Sequence, residues 1–245
     1  MNLEDIAEEF WQETGYSRTF PRPIEQAVAL KLPVMLVKLP DVTVRSVGAW
    51  LREHKHSCAF PTYENNLMGC LYAFKGFGYI FVCGSDEVEE QRFTVSHDTA
   101  HFIIDYWIPR CRVLEALGSS ITAVLDGERL PRMEERASAI LARVRLGAHW
   151  HLLPRRGREP GDDPHVARAE DRADELGLEL VAPKRHVVQM VKGESAKGIA
   201  DIGTHCRSLG AFFGLPPYIF EPIVKPLVQT RTPTFLEEAL RLLRR

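Results

Sequence analysis

The apolar positions of the chain change their spacing several times, and this pattern predicts a mixed α/β protein. Residues 3–14, 24–31 and 42–55 repeat apolar side chains at the spacing of an amphipathic helix. Between the second and third of these segments, the short apolar run PVMLVKL at 33–39 has the length and composition of a strand. The N-terminal part is therefore expected to combine helices with a strand.

The segment LMGCLYAFKGFGYIFVCG at 67–84 predicts a β-hairpin. Aromatic and β-branched residues lie on both sides of Gly76 and Gly78, which suit a short glycine turn. The hairpin leads directly into FTVSHDTAHFIIDY at 93–106, which is apolar on nearly all sides and is therefore expected to be a buried helix. We expect a small sheet whose hairpin precedes this helix.

The rest of the chain is mostly helical, with one polar interruption. An amphipathic helix is predicted over 131–147, and LLPRRGREPGDDPH at 152–165 combines prolines, glycines and charges, which predicts an exposed, mobile loop. Further helices are predicted over 166–181, 184–191, 195–213, 217–229 and 233–244.

Composition and charge narrow the class of protein. The 245 residues are 45% hydrophobic and 26% charged, which suits a globular protein, and the net charge of −2 gives no sign of broad binding to nucleic acid or to an anionic membrane. The N-terminus MNLEDIAEEFW lacks the basic start and apolar run of a signal peptide, and no run approaches 18 apolar residues. These features predict a cytoplasmic protein.

The cysteines do not predict a disulfide framework or a thiolate zinc site, because they are odd in number and never form a C-x-x-C pair. Most are expected to be buried, small apolar residues. They are Cys58, Cys70, Cys83, Cys111 and Cys206.

A pair of histidines suggests a metal site. His97 and His101 are four residues apart, so that on a helix both imidazoles project from one face and can share a tetrahedral zinc ion. Such pairs also arise by chance, but the apolar flanks would bury both imidazoles together with Asp98, and buried polar groups need partners. A third ligand is expected from the helix that begins near Glu170, whose small and apolar residues would pack against the histidine helix.

Three stretches carry a family resemblance. In order, RFTVSHDTAH at 92–101, EDRADELG at 170–177 and LVAP at 180–183 resemble the motifs R-F-T-x-x-H-E-x-x-H, E-x-x-A-[ND]-x-[FL]-A and L-L-x-P of the ImmA/IrrE family of zinc metallopeptidases. The resemblance implies a minimal gluzincin-like fold over residues 1–230. That domain would contain an insertion at about 108–164 and C-terminal helices at about 184–230, and a helical tail at 231–245 would follow.

The resemblance also implies roles. His97, His101 and Glu170 would be the ligands of one zinc ion, and Asp98 would be the general base that activates water. The substrate would be a protein, a helix-turn-helix transcriptional repressor cleaved in a stress or mobile-element response. Zinc and one further donor would polarise the scissile carbonyl, and the candidates for that donor or for a supporting role are Tyr106, His149, His151 and His186.

Two departures from the family pattern leave alternatives open. Asp98 stands where glutamate is expected, and its carboxylate is retracted by roughly 1.5 Å. Asp98 can act as a base on a water molecule in a shifted position. Alternatively, the aspartate marks a lost activity, and the chain is then a catalytically impaired binding or sensing module. The gap from His101 to Glu170 is long, and Glu134 within it begins a competing E-x-x-A. Glu170 is preferred because L-x-x-P follows only there.

Two shorter features of the sequence suggest further functions. Adjacent His97 and Asp98 also resemble the metal-binding dyad of HD-domain phosphohydrolases, with His54 or His56 as the upstream ligand, but that fold is all-helical and the hairpin contradicts it. The segment at 209–227 could pass for a helix-turn-helix. Lys225 is its only cation, so core packing is expected there rather than DNA binding.

Overall fold

The computed structural model describes residues 2–12, 14–16, 20–56, 59–61, 66–133, 135–136, 144, 146–155, 163–196 and 201–229. Within these residues the protein is α+β, with helices and one four-stranded mixed sheet. The chain forms two compact units, Met1–Val181 and Ala182–Arg245, and the sheet belongs to the first.

The N-terminal elements confirm the predicted order of helices and a strand. Thr43 caps the third helix: its hydroxyl accepts a hydrogen bond from the N–H of Ser46 at 3.0 Å, and Ser46 Oγ accepts one from the N–H of Thr43 at 2.9 Å. The elements are α1 (Leu3–Trp11), α2 (Ile24–Lys31), β1 (Val34–Leu39) and α3 (Val44–Glu53).

The predicted hairpin is confirmed as β2 (Leu67–Phe74) and β3 (Phe77–Cys83). Its turn consists of Lys75 and Gly76, whose φ angles of 51° and 78° are both positive. Two residues with positive φ give the turn the twist that matches the right-handed twist of the flanking strands. At the second position, glycine adopts a positive φ with little steric cost, because it has no Cβ.

A fourth strand, β4 (His149–Pro154), was not predicted. The strand order is β1-β3-β2-β4, with β1 parallel to β3 and β2 antiparallel to both of its neighbours. In this register, Leu71 pairs with His151 and Tyr72 with Trp150. The sequence prediction of a loop over 152–165 was therefore wrong at both ends, because β4 continues to Pro154 and the next helix begins at Pro164.

The two faces of the sheet pack against different elements. Tyr72 and Phe81 belong to a core cluster with Leu51 of α3. The alternate positions face helix α4 (Val88–His101) and the segment after it. At Gly78, for example, an added Cβ would lie 2.8 Å from the Phe102 ring.

The helix predicted over 93–106 changes geometry part-way. Helix α4 ends at His101 and a π-helical segment, Phe102–Trp107, follows it. Near the end of that segment, Tyr106 Oη accepts a hydrogen bond of 2.7 Å from the N–H of Gly76 in the hairpin turn. The chain then forms α5 (Ile108–Leu117), a 3-10 turn (Ser119–Ile121) and α6 (Thr122–Leu125).

Helix α7 (Pro164–Val181) packs against α4 and α1. Its predicted inner face is confirmed, with Ala173, Leu176 and Leu180 fully buried. The backbone carbonyl of Leu180 accepts two hydrogen bonds of 2.8 Å, from Trp11 Nε1 and from Arg22 Nη1. These bonds tie the end of α7 to the N-terminal part of the unit.

The second unit contains the helices predicted for the C-terminal part, with shifted bounds. The helix predicted over 195–213 begins at Ile202, because Asp201 caps it by accepting a 2.7 Å hydrogen bond from the N–H of Thr204. The elements are α8 (Lys184–Ala196), α9 (Ile202–Phe213), a 3-10 turn (Pro217–Phe220) and α10 (Glu221–Gln229).

Several predictions fall outside the described residues. These are most of the helix over 131–147, including Glu134, the centre of the polar segment at 156–162, the tail at 231–245 and Cys58. Of the other cysteines, Cys70, Cys83 and Cys206 are buried and free, as expected. In the part of the chain that the structure describes, no helix has the length and apolar character needed to cross a membrane.

Candidate metal centre

Four side chains of the first unit converge on one point. His97, His101, His151 and Glu170 each offer a ligand atom, and these atoms all lie within 4.8 Å of one another. The three imidazoles are buried, and the carboxylate is 18% exposed. The structure thus brings together the three ligands expected from the sequence, adds His151, and forms a group that could hold a metal ion.

Helices α4 and α7 supply three of the four residues. Glu170, Asp174 and Gly177 lie at positions i, i+4 and i+7 of α7, which is one face of a helix. At Gly177 an added Cβ would lie 3.1 Å from both His97 Cα and the carbonyl oxygen of Ser96. The absence of a side chain lets α7 approach the backbone of α4 at the first histidine, and this approach places Glu170 beside the histidine pair.

Strand β4 supplies the fourth residue. Side chains alternate along the strand, so Trp150 packs on Tyr72 with a ring separation of 4.5 Å, while His149 and His151 face α4. Both histidines are expected from the sequence in a supporting role, but the strand that carries them is not predicted by it. The signal that could have found His151 is the alternation His-Trp-His-Leu, which places two imidazoles on one face.

A carboxylate lies at Nδ1 of every imidazole in the group. Such a partner keeps the proton on Nδ1 and directs Nε2 towards a metal, as in the carboxylate–histidine–zinc arrangements of metalloproteins. The distances are 2.9 Å for His97 to Asp174, 2.7 Å for His101 to Asp105 and 2.7 Å for His151 to Asp98. The corresponding Nε2 atoms lie 3.5, 3.5 and 3.1 Å from the carboxylate oxygens of Glu170.

The π-helical segment provides one of these carboxylates. Asp105 lies within Phe102–Trp107, four residues after His101, and its Oδ2 is 2.7 Å from His101 Nδ1. Single π-helical turns inside α-helices occur frequently at functional sites, because the wider turn redirects side chains. The apolar spacing of FIIDYW does not distinguish this geometry from a regular helix, so the role of Asp105 was not predicted.

The charges of the group stabilise one another. Burial lowers the pKa of His97 and of His151, but neighbouring carboxylates raise both by more. Hydrogen bonds to Asp98 and Glu170 thereby raise the pKa of His151 to about 9. Burial also opposes ionisation of Glu170, yet the three imidazoles hold the pKa of its carboxyl well below the usual range. A cation entering the group must therefore displace protons from imidazole nitrogens.

Unpartnered polar atoms support a metal at this point. Among the described residues, Nε2 of His97 and Nε2 of His101 are buried and make no hydrogen bond, and Nδ1 of His97 makes none in spite of the Asp174 carboxylate 2.9 Å away. A buried polar atom without a partner costs about 1–3 kcal/mol, and the 3.5 Å approaches of the two imidazoles to Glu170 are too long to compensate. A cation between these imidazoles and the carboxylate would be the missing partner, so the donors present fit a metal ion.

The separations between the three imidazole rings of the group are unequal. Two imidazoles bound through Nε2 to one tetrahedral ion have ring centres about 5 Å apart. The rings of His97 and His101 are 4.8 Å apart and strongly tilted, which fits this geometry. The ring of His151 lies 5.2 Å from that of His97, which also fits two ligands, but it stacks on His101 at 3.7 Å with an interplanar angle of 23°, closer than two ligands of such an ion.

Asp98, to which the resemblance assigns the role of general base, has a specific partner. Its Oδ1 lies 2.7 Å from His151 Nδ1, and its side chain is fully buried. At Gly69 of β2, an added Cβ would lie 2.8 Å from Asp98 Oδ2 and 2.3 Å from Thr94 Cγ2. The carboxylate therefore occupies the space that Gly69 leaves between α4 and β2, and His151 connects it to the group.

The other donor candidates are not members of this group. Tyr106 bonds to the hairpin turn through Gly76, and buried His149 stacks against Tyr106 with ring centres 6.2 Å apart. His186 belongs to α8, in the second unit.

The upstream histidines of the phosphohydrolase hypothesis lie among the aromatic residues of α3 and its sheet face. His54 stacks on Trp50 at 3.7 Å, and His56 contacts Tyr79 at 4.9 Å.

Comparison of the chain with protein-family models, with curated proteins and with solved structures finds no match. The function has to follow from the geometry and the motifs of the chain's own residues.

Proposed function

We propose that this chain is a zinc-dependent endopeptidase of the ImmA/IrrE type with a minimal gluzincin-like fold. The observation that carries the proposal is the convergence of His97 and His101, on one buried helix, with Glu170 on a second helix. The motifs around these residues support the peptidase class by resemblance. By the same resemblance, the proposed substrate is a helix-turn-helix transcriptional repressor.

In this proposal the protein's own residues prepare the metal site. His97 and His101 would bind through Nε2, because Asp105 is hydrogen-bonded to Nδ1 of His101 and the Asp174 carboxylate lies 2.9 Å from Nδ1 of His97. Glu170 would supply the third donor. Zinc bound there supplies a Lewis acid that polarises a peptide carbonyl and lowers the pKa of a water molecule. Three protein donors leave a fourth position for the reaction, as catalytic zinc sites require.

A second candidate function is a binding or sensing module. It is favoured by the fourth donor, since three imidazoles and a carboxylate together would close a tetrahedral site and leave no position for substrate. The close stacking of His151 on His101 is the observation against it. The two candidates therefore differ in whether His151 binds the ion.

The peptidase proposal is tested by zinc content and cleavage measured together. We would reconstitute the protein with zinc, measure the metal by elemental analysis, and incubate the protein with a panel of purified helix-turn-helix repressors, detecting fragments by mass spectrometry. Glu170→Gln removes the carboxylate at nearly constant size. Glu175→Gln, at an exposed position of the same helix, is the matched control.

The expected result is zinc binding and cleavage in the wild type and in Glu175→Gln, and neither in Glu170→Gln. Full zinc content in Glu170→Gln would show that Glu170 is not a ligand. A wild-type protein that binds zinc and cleaves no repressor in the panel would favour the binding module instead.

A further inference from the structure

We propose that His151 is the catalytic residue that takes the place of the glutamate in an H-E-x-x-H motif, and that Asp98 is the residue that positions it. The inference rests on the proposed peptidase function and adds a residue to its site. It depends on the placement of three groups: the Asp98 carboxylate, the His151 ring and the carboxylate of Glu170.

The first step is the orientation of the imidazole. His151 Nδ1 lies 2.7 Å from Asp98 Oδ1, and His151 Nε2 lies 3.1 Å from Glu170 Oε1. Asp98 is fully buried and His151 is 9% exposed, so both rotamers are held by packing. The ring can face the group with one nitrogen only, and Asp98 determines that this nitrogen is Nε2.

The second step concerns the length of the side chain at position 98. An aspartate carboxylate is roughly 1.5 Å shorter in reach than that of glutamate, which is enough to misplace a base acting directly on water. The imidazole between Asp98 and the group bridges this distance. Gly69 is part of the same arrangement, because a Cβ there would lie 2.8 Å from Asp98 Oδ2 and push the carboxylate away.

His151 is better placed to act beside the ion than on it. Its ring stacks on His101 at 3.7 Å, closer than two ligands of a tetrahedral ion, while its Nε2 is within hydrogen-bond distance of the ligand carboxylate. Its Nε2 therefore lies beside the carboxylate that is proposed to hold the ion.

In the proposed reaction, His151 carries one proton from the attacking water to the leaving amine. Nε2 of His151, which is deprotonated once a cation occupies the group, takes a proton from water as the water oxygen bonds to the peptide carbonyl carbon and the carbonyl double bond opens to an alkoxide. The carbon–nitrogen bond then breaks, and the same proton passes from Nε2 to the leaving amine. The proton on Nδ1 stays in its hydrogen bond to Asp98 throughout, so the carboxylate orients the ring without taking a proton.

The test uses cobalt(II) in place of zinc and acetohydroxamate as the probe. Cobalt(II) reports its coordination through its visible absorption spectrum. Acetohydroxamate binds a metal at open positions and needs a neighbouring group to take its hydroxyl proton. Metal content and spectrum are measured first, and hydroxamate affinity is then measured by titration, so no peptide substrate is required.

In His151→Ala and His151→Gln we expect unchanged cobalt content, an unchanged spectrum before the probe is added, and acetohydroxamate binding weakened about tenfold or more. The glutamine amide can still donate to Asp98, so His151→Gln guards against misfolding of the alanine variant. His149→Ala, two residues away on the same face of β4, is the control and should bind the probe like the wild type.

A double-mutant comparison tests whether Asp98 acts through His151. Asp98→Asn should weaken acetohydroxamate binding, and Asp98→Asn combined with His151→Ala should bind it no more weakly than His151→Ala alone, because the carboxylate acts through the ring. Additive losses would show that Asp98 has an independent structural effect and would overturn its positioning role.

The contrary outcomes separate the two proposals. Loss of cobalt, or a changed spectrum before the probe is added, in either His151 variant would make His151 a ligand and overturn the inference. Unchanged probe affinity in these variants would also overturn it, while leaving the peptidase proposal intact. A wild-type spectrum that does not respond to acetohydroxamate would indicate a closed site and overturn both.

Discussion

Gly177→Ala tests whether the approach of α7 to α4 determines the metal site. In the interior of an exposed helix, glycine to alanine stabilises a protein by about 0.5–1 kcal/mol, because alanine loses less backbone entropy on folding. Here the new Cβ would lie 3.1 Å from His97 Cα, 3.1 Å from Ser96 O and 3.2 Å from His97 N. These atoms belong to the backbone of a buried helix and cannot move aside as a flexible side chain would.

At this position, replacing glycine by alanine is therefore expected to destabilise the protein rather than to stabilise it. Overpacking of this kind costs about 1–3 kcal/mol. Set against the gain of up to about 1 kcal/mol in helix propensity, Gly177→Ala should destabilise the first unit by up to about 2 kcal/mol. Relief of the contact by a few tenths of an ångström would also move Glu170 away from the histidine pair, so zinc affinity should fall.

The assay is urea unfolding followed by tryptophan fluorescence. All four tryptophans, Trp11, Trp50, Trp107 and Trp150, lie in the first unit, so the signal reports on it. Glu175→Ala, at an exposed position of the same helix, is the control and should change stability by less than about 0.5 kcal/mol. A Gly177→Ala variant that is more stable than the wild type and binds zinc equally well would refute the reasoning.

Three further predictions concern the surroundings of the site. Asp105→Ala should weaken zinc binding about 10- to 100-fold, because it removes the hydrogen bond that orients the His101 ring. Competition with a chelator measures this affinity, and an unchanged value would contradict the role of the π-helical segment. Zinc affinity should rise as the pH increases above about 6.5, because neighbouring carboxylates raise the pKa of the proposed ligand His97 above its ordinary value and zinc must displace that proton; a flat profile would contradict this. Arg110→Ala should destabilise the first unit by about 3–5 kcal/mol in urea unfolding, because it leaves Asp126, whose side chain is only 10% exposed, without its 2.7 Å ion pair, and a loss below about 1 kcal/mol would contradict it.

Local patterns predicted the elements whose residues repeat with a clear period. The hairpin was visible because its strands are rich in β-branched and aromatic residues and flank Gly76, and the inner face of α7 was visible because Ala173, Gly177 and Leu180 recur at helical spacing. The spacing of His97 and His101 likewise follows from one helix. Features of this kind depend only on residues that are close together in the sequence.

Strand β4 and its contribution to the site depend on contacts between distant segments. His149–Pro154 has no β-branched residue, and it becomes a strand by pairing with β2, about 80 positions earlier in the chain. His151 joins the group because that register sets it opposite Leu71. The partner of Asp98 could not be predicted for the same reason, since the contact joins a helix to a strand that the sequence had not revealed.

X-ray absorption spectroscopy of the zinc-reconstituted protein tests the central claim most directly, because it counts the imidazoles bound to the ion. We predict a zinc ion with two imidazole nitrogens, from His97 and His101, at about 2.0 Å. Oxygen donors, including Glu170, should complete the coordination, and the spectrum should be the same in His151→Gln. Three imidazoles in the wild type, falling to two in His151→Gln, would contradict the account and make the centre a closed site.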